Sequence, residues 1–466
     1  MSVTYAPLGA ARTVTGSRHL VEADGVRILI DCGLVQEREL SARNWDPLPV
    51  PAASLAAVIL THAHIDHCGW LPRLVHQGFH GPVFATRATA DIVPVMLYDA
   101  ARLQGEDVDT KRDRHGKENR TPPRPVEPLY DEAMVDAALR FLKPVDFEQR
   151  ITVAPGITAT WLPAGHILGA AMILVECGTP VRRLLFSGDL GRWNRPLVPD
   201  PVDPPAADLI VVESTYGDRL HDDHIDIEGQ LESTLGATLN GGGTVIIPCF
   251  AVERAQELLW HLDRLHHAGR VPEVPVFLDS PMAVKLLKIF TAHPEAVDDE
   301  LRPRLGTARS PFAFHGLQLT ALREQSMAIN EVRGPKIVIA GSGMLNGGRI
   351  KHHLRQIIHR EDSLVLFTGY QAAGTLGRML VQGAKQVRLF GRDYQVRCRT
   401  TSVQGFSGHA DRDEILGWLG RAAAKPRRIA VVHGGETIAP TFAALVSERI
   451  GVPAHAPTYM ERITVE

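Results

Sequence analysis

The run Thr61-His62-Ala-His64-Ile-Asp66-His67 constrains this 466-residue chain more than any other stretch. The chain carries 21 histidines. From composition alone an H-x-H-x-D-H spacing is expected in roughly one of several hundred such chains. Imidazole and carboxylate are donors that suit zinc, and two donor pairs offset along one loop can face two adjacent ions. The apolar run Val58-Ile-Leu60 precedes the motif, and a helical pattern follows from near Cys68 through Leu71, Leu74 and Val75. Strand, polar loop, helix is the local reading.

One loop cannot supply all the ligands of such a site. His166 in Leu162-Pro-Ala-Gly165-His166, Asp189 in Phe186-Ser-Gly188-Asp189 and His433 in Ile429-Ala-Val-Val-His433-Gly-Gly each follow an apolar run. The small residues beside them permit a tight turn at a strand end, where a side chain can point into a cleft. Cys68 follows His67 directly and is expected to pack in the core rather than bind metal. The five cysteines are scattered with no C-x-x-C pair, which argues against a disulfide framework or a cysteine-based zinc site and suits a reducing cytoplasm.

Fifty Lys and Arg against 53 Asp and Glu give a formal net charge of −3, which excludes a polybasic coat for nucleic acid or membrane. No apolar run reaches the roughly 18 residues of a membrane span, and the N-terminus lacks a signal-peptide pattern. The expectation is an intracellular protein with no membrane partner.

Arg18 to Glu22, a turn at Asp24-Gly25 and Val26 to Ile30 read as a β-hairpin. A helix is expected over 88–103, and the charged, proline-rich segment 105–128 reads as a solvated excursion. Short strands follow at Ile151–Val153, Ile157–Leu162, Ala171–Glu176 and Arg183–Phe186, and Pro196 to Pro205 reads as a connector. Beyond it strands alternate with helices: Leu209–Val212, Thr244–Ile247, Val276–Leu278, Lys336–Ala340 and Leu364–Phe367, the rhythm of a parallel sheet. Val403–Phe406, a helix from Asp411 to Leu419 and the strand Ile429–Val432 close the chain. His221, His266-His267 and His352-His353 read as solvated positions.

In their order, His62-x-His64-x-Asp66-His67, His166 and Asp189 resemble the metal site of metallo-β-lactamase-fold hydrolases, and Asp31 matches the aspartate that opens that family's motif series. Glu213-Ser-Thr-Tyr-Gly217, Ser407-Gly-His409-Ala-Asp411 and Val432-His433-Gly resemble the three extra motifs of the β-CASP branch, which cleaves RNA and DNA. Gly341-Ser-Gly-Met344 and Tyr370 to Arg378 also resemble family segments. The implied fold is α/β: a metallo-β-lactamase four-layer αββα sandwich with an inserted β-CASP α/β domain built on a parallel sheet. The expected boundaries are 1–207 and 401–466 for the sandwich and 208–400 for the insertion.

Carried over position by position, the resemblance assigns His62, His64 and His166 to one zinc ion, and Asp66, His67 and His433 to a second. Asp189 bridges the two. Asp31 orients a ligand histidine, and Asp66, Glu213 and His409 form the catalytic set. The implied reaction is hydrolysis of RNA phosphodiesters by a zinc-activated hydroxide, with His409 as general acid and Glu213 beside it. Ser407 and Arg378 would contact substrate. Single-stranded RNA is the implied partner, with a homodimer as a compatible assembly. The alternatives are a thioesterase of the same fold, a DNA-directed nuclease and a non-catalytic RNA-processing scaffold. The first needs no Glu213, His409 or His433 motif, His433 leans away from the DNA-repair branch, and filled ligand positions argue against the last.

Residues 331–400 hold twelve basic positions against four acidic ones, a net of +8 inside a chain of −3. A basic wall able to track single-stranded RNA is expected there.

Overall fold

The structure is a computed structural model and describes residues 3–118, 126–222 and 225–466. The chain forms two compact units. The first takes the chain up to Arg195, Pro199–Leu220 and His409–Glu466, and the second takes Pro196–Val198 and His221–Gly408.

Two seven-stranded sheets build the first unit. One runs Ile463–Val465, Val3–Pro7, His19–Ala23, Val26–Ile30, Leu55–Ile59, Val83–Thr86, Leu142–Val145. The other runs Ala454–His455, Arg428–Val431, Leu209–Val212, Arg182–Phe186, Ala171–Cys177, Ile157–Pro163, Arg150–Ala154. The expected hairpin is present, with Asp24 (φ 51°) and Gly25 (φ 83°) closing its two-residue turn. Because side chains alternate along a strand, Tyr5, Val21, Ile28, Ile30 and Ile59 face Ile157, Trp161, Ile173, Val175, Phe186 and Val211 in one continuous core. Each such fully buried aliphatic or aromatic side chain contributes about 1.5–3 kcal/mol. The opposite faces are buried as well, at Leu29, Val58, Leu185 and Ile210. Helices Arg87–Lys117 and Glu132–Leu139 pack on the first sheet's side, and Arg412–Gly420 and Ile438–Ile450 on the second's, which completes the αββα layering.

The second unit holds a six-stranded, all-parallel sheet in the order Leu317–Leu319, Val276–Leu278, Lys336–Ala340, Thr244–Pro248, Leu364–Phe367, Arg399–Ser402. Ile246, Val338, Leu354, Val365 and Phe367 lie in its core. A separate hairpin pairs Gln386–Leu389 with Arg392–Gln395.

Several expectations need correction. Strand Leu209–Val212 belongs to the first unit, not to the insertion, because it hydrogen-bonds in parallel to both Arg182–Phe186 and Arg428–Val431. Residues 401–408 stay with the second unit, and its last strand is Arg399–Ser402, paired to Leu364–Phe367, rather than Val403–Phe406. The helix expected to stop at 103 continues to Lys117. Ion pairs Arg102–Glu106, Lys111–Asp107 and Arg114–Glu118, each one helical turn apart, support this polar extension. Residues 119–125 of the expected excursion lie outside the described residues. His353 is buried rather than solvated, with its Nε2 2.7 Å from Oδ2 of Asp279. Among the described residues no helix is long and apolar enough to cross a membrane.

Candidate metal centre

Strand direction gathers the motif residues at one edge of each sheet. Asp31 and His62 follow the parallel strands Val26–Ile30 and Leu55–Ile59. Asp189, Glu213 and His433 follow Arg182–Phe186, Leu209–Val212 and Arg428–Val431, which are mutually parallel. Ile157–Pro163 is antiparallel to Ala171–Cys177, itself antiparallel to Arg182–Phe186, so His166 emerges at that edge too. Asp31 (φ 60°) and His433 (φ 51°) adopt the left-handed region uncommon for residues with a side chain, a strain often found at functional sites. Gly188 (φ 55°) lets the chain before Asp189 pass Thr61, where a Cβ would lie 2.8 Å from the threonine Cβ.

The side chains form two clusters that meet at Asp189. In the first, Nδ1 of His64 lies 3.1 Å from Nε2 of His62 and 3.2 Å from Nε2 of His166. Oδ2 of Asp189 is 3.5 Å from both of those Nε2 atoms. In the second, Nε2 of His67 and Nε2 of His433 are 3.1 Å apart, with Oδ2 of Asp66 3.5 Å from His433. Oδ1 of Asp189 faces this cluster, 3.2 Å from His67 and 3.6 Å from His433. That oxygen is buried and finds no hydrogen-bond donor among the described residues.

Hydrogen bonds on the far side of the rings determine which nitrogens face inward. Asp31 accepts from the backbone N–H of Thr61 at 2.8 Å, from its hydroxyl at 2.9 Å and from Nδ1 of His67 at 2.7 Å. The Thr61 hydroxyl donates to Asp31, so it accepts from Nδ1 of His62 at 3.0 Å. The Thr215 hydroxyl likewise accepts from Nδ1 of His433 at 3.0 Å while donating to that residue's carbonyl. With each Nδ1 committed as a donor, the Nε2 lone pairs of His62, His67 and His433 point into the clusters. Lone pairs facing one another at 3.1 Å repel unless a proton or a metal cation lies between them. A tetrahedral zinc with bonds of 2.0–2.1 Å places its donors about 3.3 Å apart. The observed separations and the all-nitrogen-and-oxygen donor set fit that ion.

The local field agrees. Burial would lower the pKa of His67 and His433, yet Asp189, with Asp31 at His67 and Asp66 at His433, pushes both up. Burial and the neighbouring His67 push His62 well down, and burial takes His64 to about 4. The carboxylates thus draw positive charge that a bound metal would supply in place of protons.

Beside the clusters, Oε1 of Glu213 accepts from Nδ1 of His409 at 3.0 Å and from the Leu190 N–H at 2.7 Å. Glu213 is fully buried, whereas the His409 side chain keeps 21% of its surface exposed. Burial lowers the His409 pKa, but Glu213 and Asp189 outweigh it and raise it to about 9. The rings of His166 and Tyr216 flank His409 at 4.5 and 6.1 Å between centroids.

His62, His64, Asp66, His67, His166, Asp189, Glu213, His409, His433 and Asp31 therefore come together in the first unit. Arg378, in helix Leu376–Val381, and Ser407 belong to the second. Cys68 turns away from the cluster, its thiol donating to the Ala63 carbonyl. Sequence reasoning assigned no role to Thr61 or Thr215, although both lie inside the quoted motifs. A hydroxyl adjoining a ligand histidine or second in a Glu-Ser-Thr-Tyr run is the signal that marks them.

Comparison with known proteins agrees with this architecture. A metallo-beta-lactamase superfamily model matches residues 14–249, a Beta-Casp domain model 255–380, and a Zn-dependent metallo-hydrolase RNA specificity domain model 393–457. The chain is 38% identical to Ribonuclease TTHA0252 of Thermus thermophilus over 430 residues, covering 92% of this chain and 93% of that protein. It is 30% identical to Transcription termination factor FttA of Methanocaldococcus jannaschii over 98% of this chain and 71% of that protein. A crystal structure of a protein of unknown function from Enterococcus faecalis V583 shares the fold across both full chains, with a TM-score of 0.55 at 13% identity. The chain belongs to the metallo-β-lactamase superfamily, as a member of its zinc-dependent β-CASP branch.

Proposed function

We propose that this protein is a ribonuclease that uses two zinc ions to hydrolyse phosphodiesters in single-stranded RNA. The observation that carries the reading is the junction at Asp189. Its two oxygens face separate donor clusters, and a carboxylate-held histidine stands 3.9 Å away. His62, His64 and His166 would hold one ion, Asp66, His67 and His433 the other, with Asp189 shared. When bound, the ions lower the pKa of water and offset charge on the phosphodiester.

The protein's own groups do the rest. Asp31, Thr61 and Thr215 keep the ligand rings in one tautomer. Glu213 holds Nδ1–H of His409, so the Nε2 proton is free to pass to the leaving oxygen. In the metal-free chain the field of Glu213 and Asp189 holds that proton at neutral pH. Ser407 and Arg378 are proposed substrate contacts. Five free, buried cysteines suit a reducing cytoplasm. The curated relative named a ribonuclease supports RNA as substrate.

The test offers 5′-labelled RNA and DNA of one sequence to the protein, with zinc, with chelator, and with zinc restored. Chelator-sensitive cleavage of RNA well above DNA is expected, and product lengths report endo- or exonucleolytic action. Intact RNA, or cleavage indifferent to chelator, would overturn the reading.

A further inference from the structure

The hairpin of the second unit carries an unusual tip. Leu389 pairs with Arg392, so Phe390 and Gly391 form a two-residue turn, with φ of 48° and 78°. Such turns favour Asn, Asp or Gly at the first position, because left-handed backbone crowds a side chain. A bulky aromatic held there against its backbone preference points to a use for the ring.

Phe390 is 46% exposed. The His352 ring lies 4.7 Å from it at a 33° tilt, and Nζ of Lys351 and the Arg355 guanidinium carbon each sit 5.3 Å from its centroid. All three neighbours come from helix Ile350–Ile357, which has no acidic residue. Burial and the charges of Arg355 and Lys351 push the His352 pKa down. Among the described residues Lys351, Arg355, Lys385 and Arg392 have no carboxylate partner, and Asp393 is the sole acid of the hairpin. Cations without a carboxylate partner around a half-exposed aromatic ring are the elements of a sequence-tolerant single-strand contact. The hairpin tip also falls between the family matches ending at 380 and beginning at 393.

We propose that Phe390, with Lys351, His352 and Arg355, is a base-stacking platform for single-stranded RNA, a contact carried by the second unit. A base stacks on the ring while the two cations take backbone phosphates. The inference rests on the ribonuclease reading for its choice of ligand.

Fluorescence anisotropy of the zinc-loaded chain with a labelled 20-nucleotide oligouridylate at 4 °C tests it, with gels confirming that the RNA stays intact. Phe390→Asn, which suits the turn, should leave the melting temperature unchanged or higher and weaken binding about ten-fold. Phe390→Trp should bind at least as tightly as wild type, and Phe390→Leu as weakly as Asn. Lys351→Gln with Arg355→Gln should reduce the slope of log K against log salt by about 1.4. Asn or Leu variants within two-fold of wild type, or an unchanged salt slope in the double variant, would overturn the platform. Phe390-dependent binding by a chain that leaves RNA intact in the separate cleavage assay with zinc would sink the nuclease reading and keep the platform. Cleavage with affinity independent of Phe390 would do the reverse.

Discussion

Asp31→Asn separates ligand orientation from ligand identity, because Asp31 holds the ring of His67, a proposed ligand, from behind. The carboxylate is 1% exposed and accepts only, from Thr61 twice and from Nδ1 of His67 at 2.7 Å. Asparagine has nearly the same shape but one acceptor oxygen. If that oxygen keeps the Thr61 bonds, the amide NH2 faces Nδ1 of His67. Two N–H donors cannot share that short contact, so His67 moves its proton to Nε2, the atom that faces Asp66, Asp189 and His433. A metal ion must then displace a proton from its own ligand. Loss of such an outer partner weakens metal affinity about 10–100-fold, or about 1.4–2.8 kcal/mol. Competition with a chromophoric chelator measures this ion by ion, and the melting temperature of the metal-free protein reports on the fold. On the proposed two-ion site, one ion should weaken by that factor while the other, assigned to His62, His64 and His166, changes less. Wild-type affinity for both ions in a folded Asn variant would refute the tautomer argument.

Removing the proposed proton donor is expected to act differently. His409→Ala should slow RNA cleavage about 10²–10⁴-fold with zinc content unchanged by elemental analysis, and Glu213→Gln should reproduce part of the loss. In the second unit, burial would raise the Asp279 pKa, but hydrogen bonds from His353, Ser326 and Arg349 outweigh it and hold it at about 2. A carboxyl depressed on folding stabilises the folded state above its unfolded pKa of about 3.9, and that stability is lost as pH falls toward 2. Denaturant melts across this range should show the decline in wild type and a flatter limb in Asp279→Asn. That variant should also lose about 3 kcal/mol at neutral pH by leaving Arg349 short of its partner. Trp161→Ala, at a fully buried position between the two sheets, should cost about 3–5 kcal/mol in the same measurement. A loss below 1 kcal/mol would mean that the core collapses around the gap.

The sequence by itself displayed the candidate donors that the fold brings together. Histidine and carboxylate spacing is local, and the apolar runs ending at His62, Asp189 and His433 mark strand ends whatever the fold around them. The order of motifs identified the family, and alternation of residue type identified most strands. Tertiary structure decided what depends on distant partners. Strand Leu209–Val212 looks like the strands that follow it, yet hydrogen bonds to chain segments before and far after it place it in the first unit. His353 reads as a solvated helix residue until Asp279, 74 positions away, is found against it. Thr61 and Thr215 acquire their roles only because a hydroxyl that donates on one side must accept on the other, and folding alone shows which side each faces. Composition lists donors, and only the closed hydrogen-bond network determines which lone pairs are left to meet a metal ion.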